Sequence, residues 1–151
     1  MTPDLRLPCV DDLSWCALTV YLEAEGESWA GKLGIAWAIA NRVTRWQKSV
    51  SDVVLARFAF SSWNTDSVRR LTLDALDPAI YRDCFKAACA ALFALVPDPT
   101  NGADHFLNVL ATKAMSGGRV PKWAADPADS TRVNVALVTV VIDSHTFLRL
   151  T

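Results

Sequence analysis

Between Asp11 and Arg45 the chain carries two helical apolar patterns in succession, separated only by Glu25-Gly26-Glu27. No other feature constrains the fold as strongly. Leu13, Cys16, Ala17, Val20, Tyr21 and Ala24 fall at helical spacing after two acids suited to a helix start, Asp11 and Asp12. Trp15, Leu18 and Leu22 cover much of the opposite side and leave a narrow polar strip of Asp12, Thr19 and Glu23. A helix that is apolar almost all round belongs inside a protein, so this one is expected to be central. Gly26 is suited to end it and Ser28 to cap the next, which runs to Arg45 with Trp29, Leu33, Ala36, Trp37, Ala40 and Val43 as its stripe. Gly31 and Gly34 cost helix propensity there. They make sense where another backbone approaches closely, and the first helix is the expected neighbour.

Beyond this pair, Ser51 to Phe58 reads as a short helix and Pro78 to Leu95 as a longer one with Pro in its first turn. From Val133 to Ile142 β-branched residues dominate. Asp143-Ser144 then offers a turn and His145 to Leu150 alternates, which predicts a β-hairpin, with a shorter strand at Asp104 to Val109. The expected fold is therefore α+β and mainly α, a single domain over 1–151 with a small antiparallel sheet. With 52% hydrophobic residues and a net charge of -1, the chain is neither disordered nor steered towards nucleic acid or an anionic membrane. Its apolar runs fall short of the ~20 residues of a membrane span. The four cysteines, Cys9, Cys16, Cys84 and Cys89, read as reduced and mostly buried. The first residues carry no stretch of signal-peptide length, so synthesis in the cytoplasm without a secretory address is expected.

The sequence contains three Glu residues, all within five positions: Glu23, Glu25 and Glu27. Glu23 stands where a mostly buried helix runs out. A carboxyl at the edge of apolar surface loses hydration in its charged form and is favoured as the protonated acid, which suits a general acid. The alternative is a solvated acidic turn or a capping cluster for the following helix, and Glu25 and Glu27, flanking Gly26, fit that alternative better. Were the helix to continue, Glu23 and Glu27 would lie one turn apart, near the carboxylate separation of retaining glycosidases; Gly26 argues against it. The two histidines, His105 and His145, lack the spacing of a zinc motif, and neither a metal nor a cofactor is expected.

The segment Leu18 to Glu27, with Gly31, Ala36 through Ala40 and Asn41-Arg42-Val43, resembles the signature of the spore-cortex-lytic (SleB-type) cell wall hydrolase family. So do, in order, Phe60-Ser61-Ser62-Trp63-Asn64, Asp98 through Phe106, Pro121-Lys122-Trp123-Ala124 and Ile142 through Phe147. The resemblance covers about residues 13–150. It departs at Glu25, where the family carries Arg, and at Asp143-Ser144, where it carries Gly-Gly or Gly-Asn. It implies a lysozyme-like domain acting on peptidoglycan glycan strands as a lytic transglycosylase or muramidase, with Glu23 as the catalytic acid and then base.

In the transglycosylase case the attacking hydroxyl comes from the substrate itself, so a second catalytic carboxylate is not obligatory. Ser61, Trp63 and Asn64 are candidates to line the glycan cleft, with Trp63 equally suited to the core. Phe106, His105 and His145 are candidates to line it from the strand and the hairpin, the two histidines meeting across the small sheet near Glu23, each being equally able to serve as a structural residue. A phage or prophage endolysin, acting as a monomer and released to the wall by a holin, is the expected setting. Two other classes compete: a non-catalytic wall-binding module, which needs no enclosed acid, and a Cys-His peptidase, which needs an exposed thiolate at a helix N-terminus.

Overall fold

A computed structural model describes residues 10–56, 59–60, 63 and 75–151. Its helices are α1 (Val10–Ala24), α2 (Trp29–Trp46), α3 (Val50–Leu55), α4 (Pro78–Leu92) and α5 (Val109–Met115). Its strands are β1 (His105–Leu107), β2 (Ala125–Asp126), β3 (Asp129–Val133), β4 (Val138–Ile142) and β5 (His145–Leu148). Strands β1, β5 and β4 form one antiparallel sheet in that order, and β2 pairs with β3 separately. None of the described helices is long and apolar enough to cross a membrane.

Side-chain caps set the helix starts. Ser28 accepts from the Gly31 N–H at α2, Ser49 from Asp52 at α3, and Asp77 from Ala79 and Ile80 at α4, where Pro78 has no N–H to satisfy. The Asp77 N–H itself donates to the Tyr21 hydroxyl (3.0 Å), which ties the start of α4 to α1. Helices α1, α2 and α4 bury a core of Cys16, Ala17, Val20, Ile35, Ile39 and Ala88 against Phe147 of β5. Leu107, Val120, Ala124 and Leu148 form a smaller core on the other side of the sheet.

The two α2 glycines do not face α1, as expected, but the hairpin. A Cβ at Gly34 would stand 2.7 Å from Phe147 Cζ, and one at Gly31 2.6 Å from Asp143 Oδ2. Of the α2 stripe, Leu33, Ala36 and Ala40 are buried, Trp37 and Val43 half-buried, and Trp29 exposed. Thr19 is likewise not on a solvated strip: it is wholly buried, its hydroxyl donating to the Trp15 carbonyl at 2.7 Å.

Several boundaries differ from the sequence reading. Helix α4 stops at Leu92 because Ala94 turns left-handed (φ 51) and the Leu95 N–H closes back on the Ala90 carbonyl at 2.8 Å, a Schellman end with Ala where Gly is usual. The predicted strand 133–142 breaks at Asn134, whose side chain accepts from the Ala136 N–H and starts a single 3-10 turn. Helix α5 was not anticipated. Asn108 caps it, and it contains no buried residue, so its sequence carries no apolar stripe to reveal it. Helix α3 begins at Val50, one residue earlier than expected; residues 57–58 lie outside the described residues.

Gly34→Ala is expected to lower stability by about 1–3 kcal/mol, because the added methyl group meets a fully buried aromatic ring. Urea denaturation measures it. An unchanged or raised midpoint, as helix propensity alone would give, would show that α2 and the hairpin are not in close contact.

Candidate active site

Helix α1 ends at Ala24, and the Glu27 N–H donates to the Ala24 carbonyl at 3.0 Å. This tight turn leaves half-buried Glu23 and Glu27 both lining one cleft of about 630 Å3, within the range of small-ligand sites. Arg42 and Trp46 of α2, Phe60, and Phe106 of β1 line its interior; Met115 of α5 and Trp123, both exposed, stand at its outer edge.

The apolar surroundings expected for Glu23 are interrupted by a buried cation. Arg42 is 4% exposed, donates through Nε to the Asp104 carbonyl, and holds its guanidinium 4.8 Å from the Phe60 ring and 5.3 Å from the Trp46 ring. Burial lowers its pKa to about 10 against the opposing pull of Asp104 and then Glu23, so it remains charged at neutral pH. That coupling puts a positive charge within electrostatic reach of the Glu23 carboxyl.

Asp104 anchors this wall. Its buried carboxylate accepts from the Leu150 N–H (2.8 Å), from the Thr151 N–H and hydroxyl, and from Arg45 Nη1 (3.1 Å), with His105 Nδ1 2.9 Å away. Burial alone would favour its neutral form; the hydrogen bonds from Thr151, His105 and Leu150 outweigh burial and hold it well below the usual carboxylate range. His105 is thereby fixed between Trp123, with ring centroids 5.0 Å apart, and Trp46 at 6.1 Å.

His145 is buried at the start of β5, edge-on to Phe106 at 5.5 Å. The two histidines share the cleft but not a cross-strand pair, since His105 lies opposite Leu148. For both, burial depresses the pKa more than nearby carboxylates raise it: Asp104 at His105, Glu27 and Asp143 at His145.

His105, Phe106 and His145 thus meet Glu23 at one cleft. Trp63 does not line it. Its ring packs on Trp15 with centroids 5.4 Å apart and its indole N–H donates to Thr19 Oγ1 at 2.9 Å, so it serves the core. Ser61 and Asn64 lie outside the described residues. Glu27, read as solvated, instead accepts a hydrogen bond from the Ser144 hydroxyl, while Asp143 Oδ2 accepts from the Ser28 N–H (2.9 Å) and hydroxyl (2.6 Å). Those two bonds hold the Asp143 carboxyl below its ordinary value.

Sequence reasoning missed Arg42, Trp46, Glu27 and Ser144. The charge of Arg42 next to an apolar helical stripe was the available signal; nothing local marked Ser144. Among the described residues, no cluster of three or more His, Cys, Asp or Glu could hold a metal, and no cysteine lines the cleft. Burial drives the thiol of Cys16 up and that of Cys84 to about 11, the opposite of what a cysteine nucleophile needs.

A family model described as Cell Wall Hydrolase matches residues 26–148, a stretch that begins three residues after Glu23. The structure is similar to the catalytic domain of the Bacillus cereus SleB protein, with a TM-score of 0.60 and 24% identity over 92% of this chain and 90% of that one. It is similar also to the catalytic domain of the germination-specific lytic transglycosylase SleB from Bacillus anthracis, with a TM-score of 0.62 and 22% identity over 94% and 97%. At this identity the likeness establishes the fold, an α+β, mainly helical, lysozyme-like arrangement. No curated protein sequence matches the chain.

The depressed histidine pKa values fix the sign of one pH effect. The unfolded chain takes up protons first as pH falls, so stability is full above about pH 6.5 and is lost as the pH drops through the folded values. Urea midpoints taken from about pH 7.5 down to about pH 5 should fall for the wild type and fall less for His145→Gln. An identical slope in the variant would contradict the burial assigned to His145.

Proposed function

Since the chain belongs to the cell wall hydrolase family, we propose that it cleaves the glycan strands of peptidoglycan, with Glu23 as the single acid and then base. The observation that carries this reading is Glu23 lining a sugar-sized cleft beside the buried Arg42 cation. Glu23 donates its proton to the oxygen leaving C1 of N-acetylmuramic acid, and the positive charge of Arg42 stabilises the carboxylate that remains. That carboxylate then takes the proton of the attacking hydroxyl.

The attacker we favour is the same sugar's C6 hydroxyl, which closes a 1,6-anhydro ring. An intramolecular hydroxyl is already held near the reacting carbon and needs no separate nucleophile. The Bacillus anthracis neighbour is a lytic transglycosylase, which supports this over attack by water. Exposed Trp123, held in a tilted contact by His105 at the cleft edge, offers an aromatic face to a sugar ring.

Glu23→Gln keeps the shape and removes the transferable proton. It should reduce release of soluble muropeptides from purified peptidoglycan by at least about a hundredfold while urea stability stays near wild type. Retained activity would reject Glu23 as the acid. Mass spectrometry of the wild-type products decides the attacker: 1,6-anhydromuramic ends are expected, and reducing ends alone would make the protein a muramidase.

A further inference from the structure

We propose that Glu27 is a positioning residue that fixes the tautomer of His145, protonating Nδ1 and leaving Nε2 to accept a hydrogen bond from a hydroxyl or acetamide N–H of the amino sugar in the cleft. This rests on the cleft being the glycan site. His145 Nδ1 is sealed from solvent without a hydrogen-bond partner, yet Glu27 Oε1 lies 3.3 Å away. A bare nitrogen lone pair buried against a carboxylate oxygen is repelled by it, whereas an N–H at the same place is attracted, so the proton belongs on Nδ1. Burial keeps the ring neutral despite Glu27 and Asp143, the two acids that face it. A neutral imidazole protonated at Nδ1 has its one acceptor at Nε2. His145 lines the cleft while its Nδ1 edge is closed off, so Nε2 is the ring nitrogen left to meet a ligand there.

Glu27 is held for this task by contacts a solvated acid does not need. The Ser144 hydroxyl donates to the same oxygen, Oε1. Buried Lys32 donates from Nζ to the Glu27 carbonyl, and Asp143 grips Ser28 next in the chain. A Cβ at Gly31 would stand 2.8 Å from Glu27 Cβ, so α2 is shaped to admit the side chain. The 3.3 Å separation is that of the free protein; hydrogen bonds of this kind tighten when a substrate engages the far side of the ring.

The ring nitrogens of uniformly 15N-labelled protein, read by NMR above pH 7, test the assignment directly. With two histidines in the chain, the spectrum of His145→Gln identifies the signals of His145. Wild type is expected to show a protonated Nδ1 and an unprotonated Nε2. Glu27→Ala should lose that single-tautomer signature and about tenfold in kcat/KM on peptidoglycan, the cost of one hydrogen bond. Glu27→Gln, which keeps an acceptor oxygen, should restore most of both.

A wild-type His145 protonated at Nε2, or a tautomer unmoved in Glu27→Ala, overturns the proposal. If Glu27→Ala does not fold, the wild-type tautomer decides alone. Wild type that releases nothing from peptidoglycan would bring down the glycan reading and leave the tautomer assignment standing.

Discussion

The architecture depends on how closely the β4–β5 hairpin lies against α2. Gly34 admits the Phe147 ring and Gly31 admits the Asp143 carboxylate, in each case where a methyl group would stand under 3 Å away. Because no side chain intervenes, the hairpin turn reaches the loop between α1 and α2. Ser144 then binds Glu27, Asp143 binds Ser28, and His145 is carried into the cleft with them. Asp143 adopts a left-handed φ of 51 to do so, a conformation Asp tolerates better than most residues. The hydroxyl of Ser28 both receives the N–H of Gly31 and donates to Asp143, so the start of α2 and the tip of the hairpin are one hydrogen-bonded unit.

The opposite wall is built on buried polar groups instead of close backbone approach. Asn41 Nδ2 donates to Asp98 Oδ2 at 2.9 Å and to the Ala103 carbonyl at 2.8 Å, and Asp98 Oδ1 accepts from the N–H and hydroxyl of Thr100. Arg42, next along the helix, and Arg45, one turn on from Asn41, meet the backbone and carboxylate of Asp104. These bonds satisfy groups that would be costly to bury alone, and they fix the segment from Asp98 to His105 against α2. The cleft therefore lies between two independently braced walls, with Glu23 at the end of the helix between them.

Much of this was legible in the sequence because it follows from periodicity. The enclosed first helix, Ser28 as a cap, the two small-residue positions in α2 and the hairpin turn at Asp143-Ser144 all leave local marks. So does the isolation of three glutamates at one helix end. What was not legible depends on tertiary contact. Whether Gly31 and Gly34 face a helix or a strand has no local signature, and neither does Trp63 finding Thr19 across 44 positions. Glu27 looked solvated because its partners, Ser144 and His145, lie more than a hundred residues away. Helix α5 escaped for a different reason: none of its residues is fully buried, and only Val109 packs against the smaller core, so no apolar period was written into it.

The central claim is that Glu23 addresses a glycosidic bond inside this cleft. A crystal structure of the Glu23→Gln variant with a fragment of alternating N-acetylglucosamine and N-acetylmuramic acid tests it most directly. The account predicts the bridging oxygen within hydrogen-bonding distance of residue 23, with the sugars running between the Arg42 side and His145. Sugars seated elsewhere, for example in the smaller cavity that Trp37, Ala40, Val43 and Ala91 line between α2 and α4, with residue 23 untouched, would contradict it.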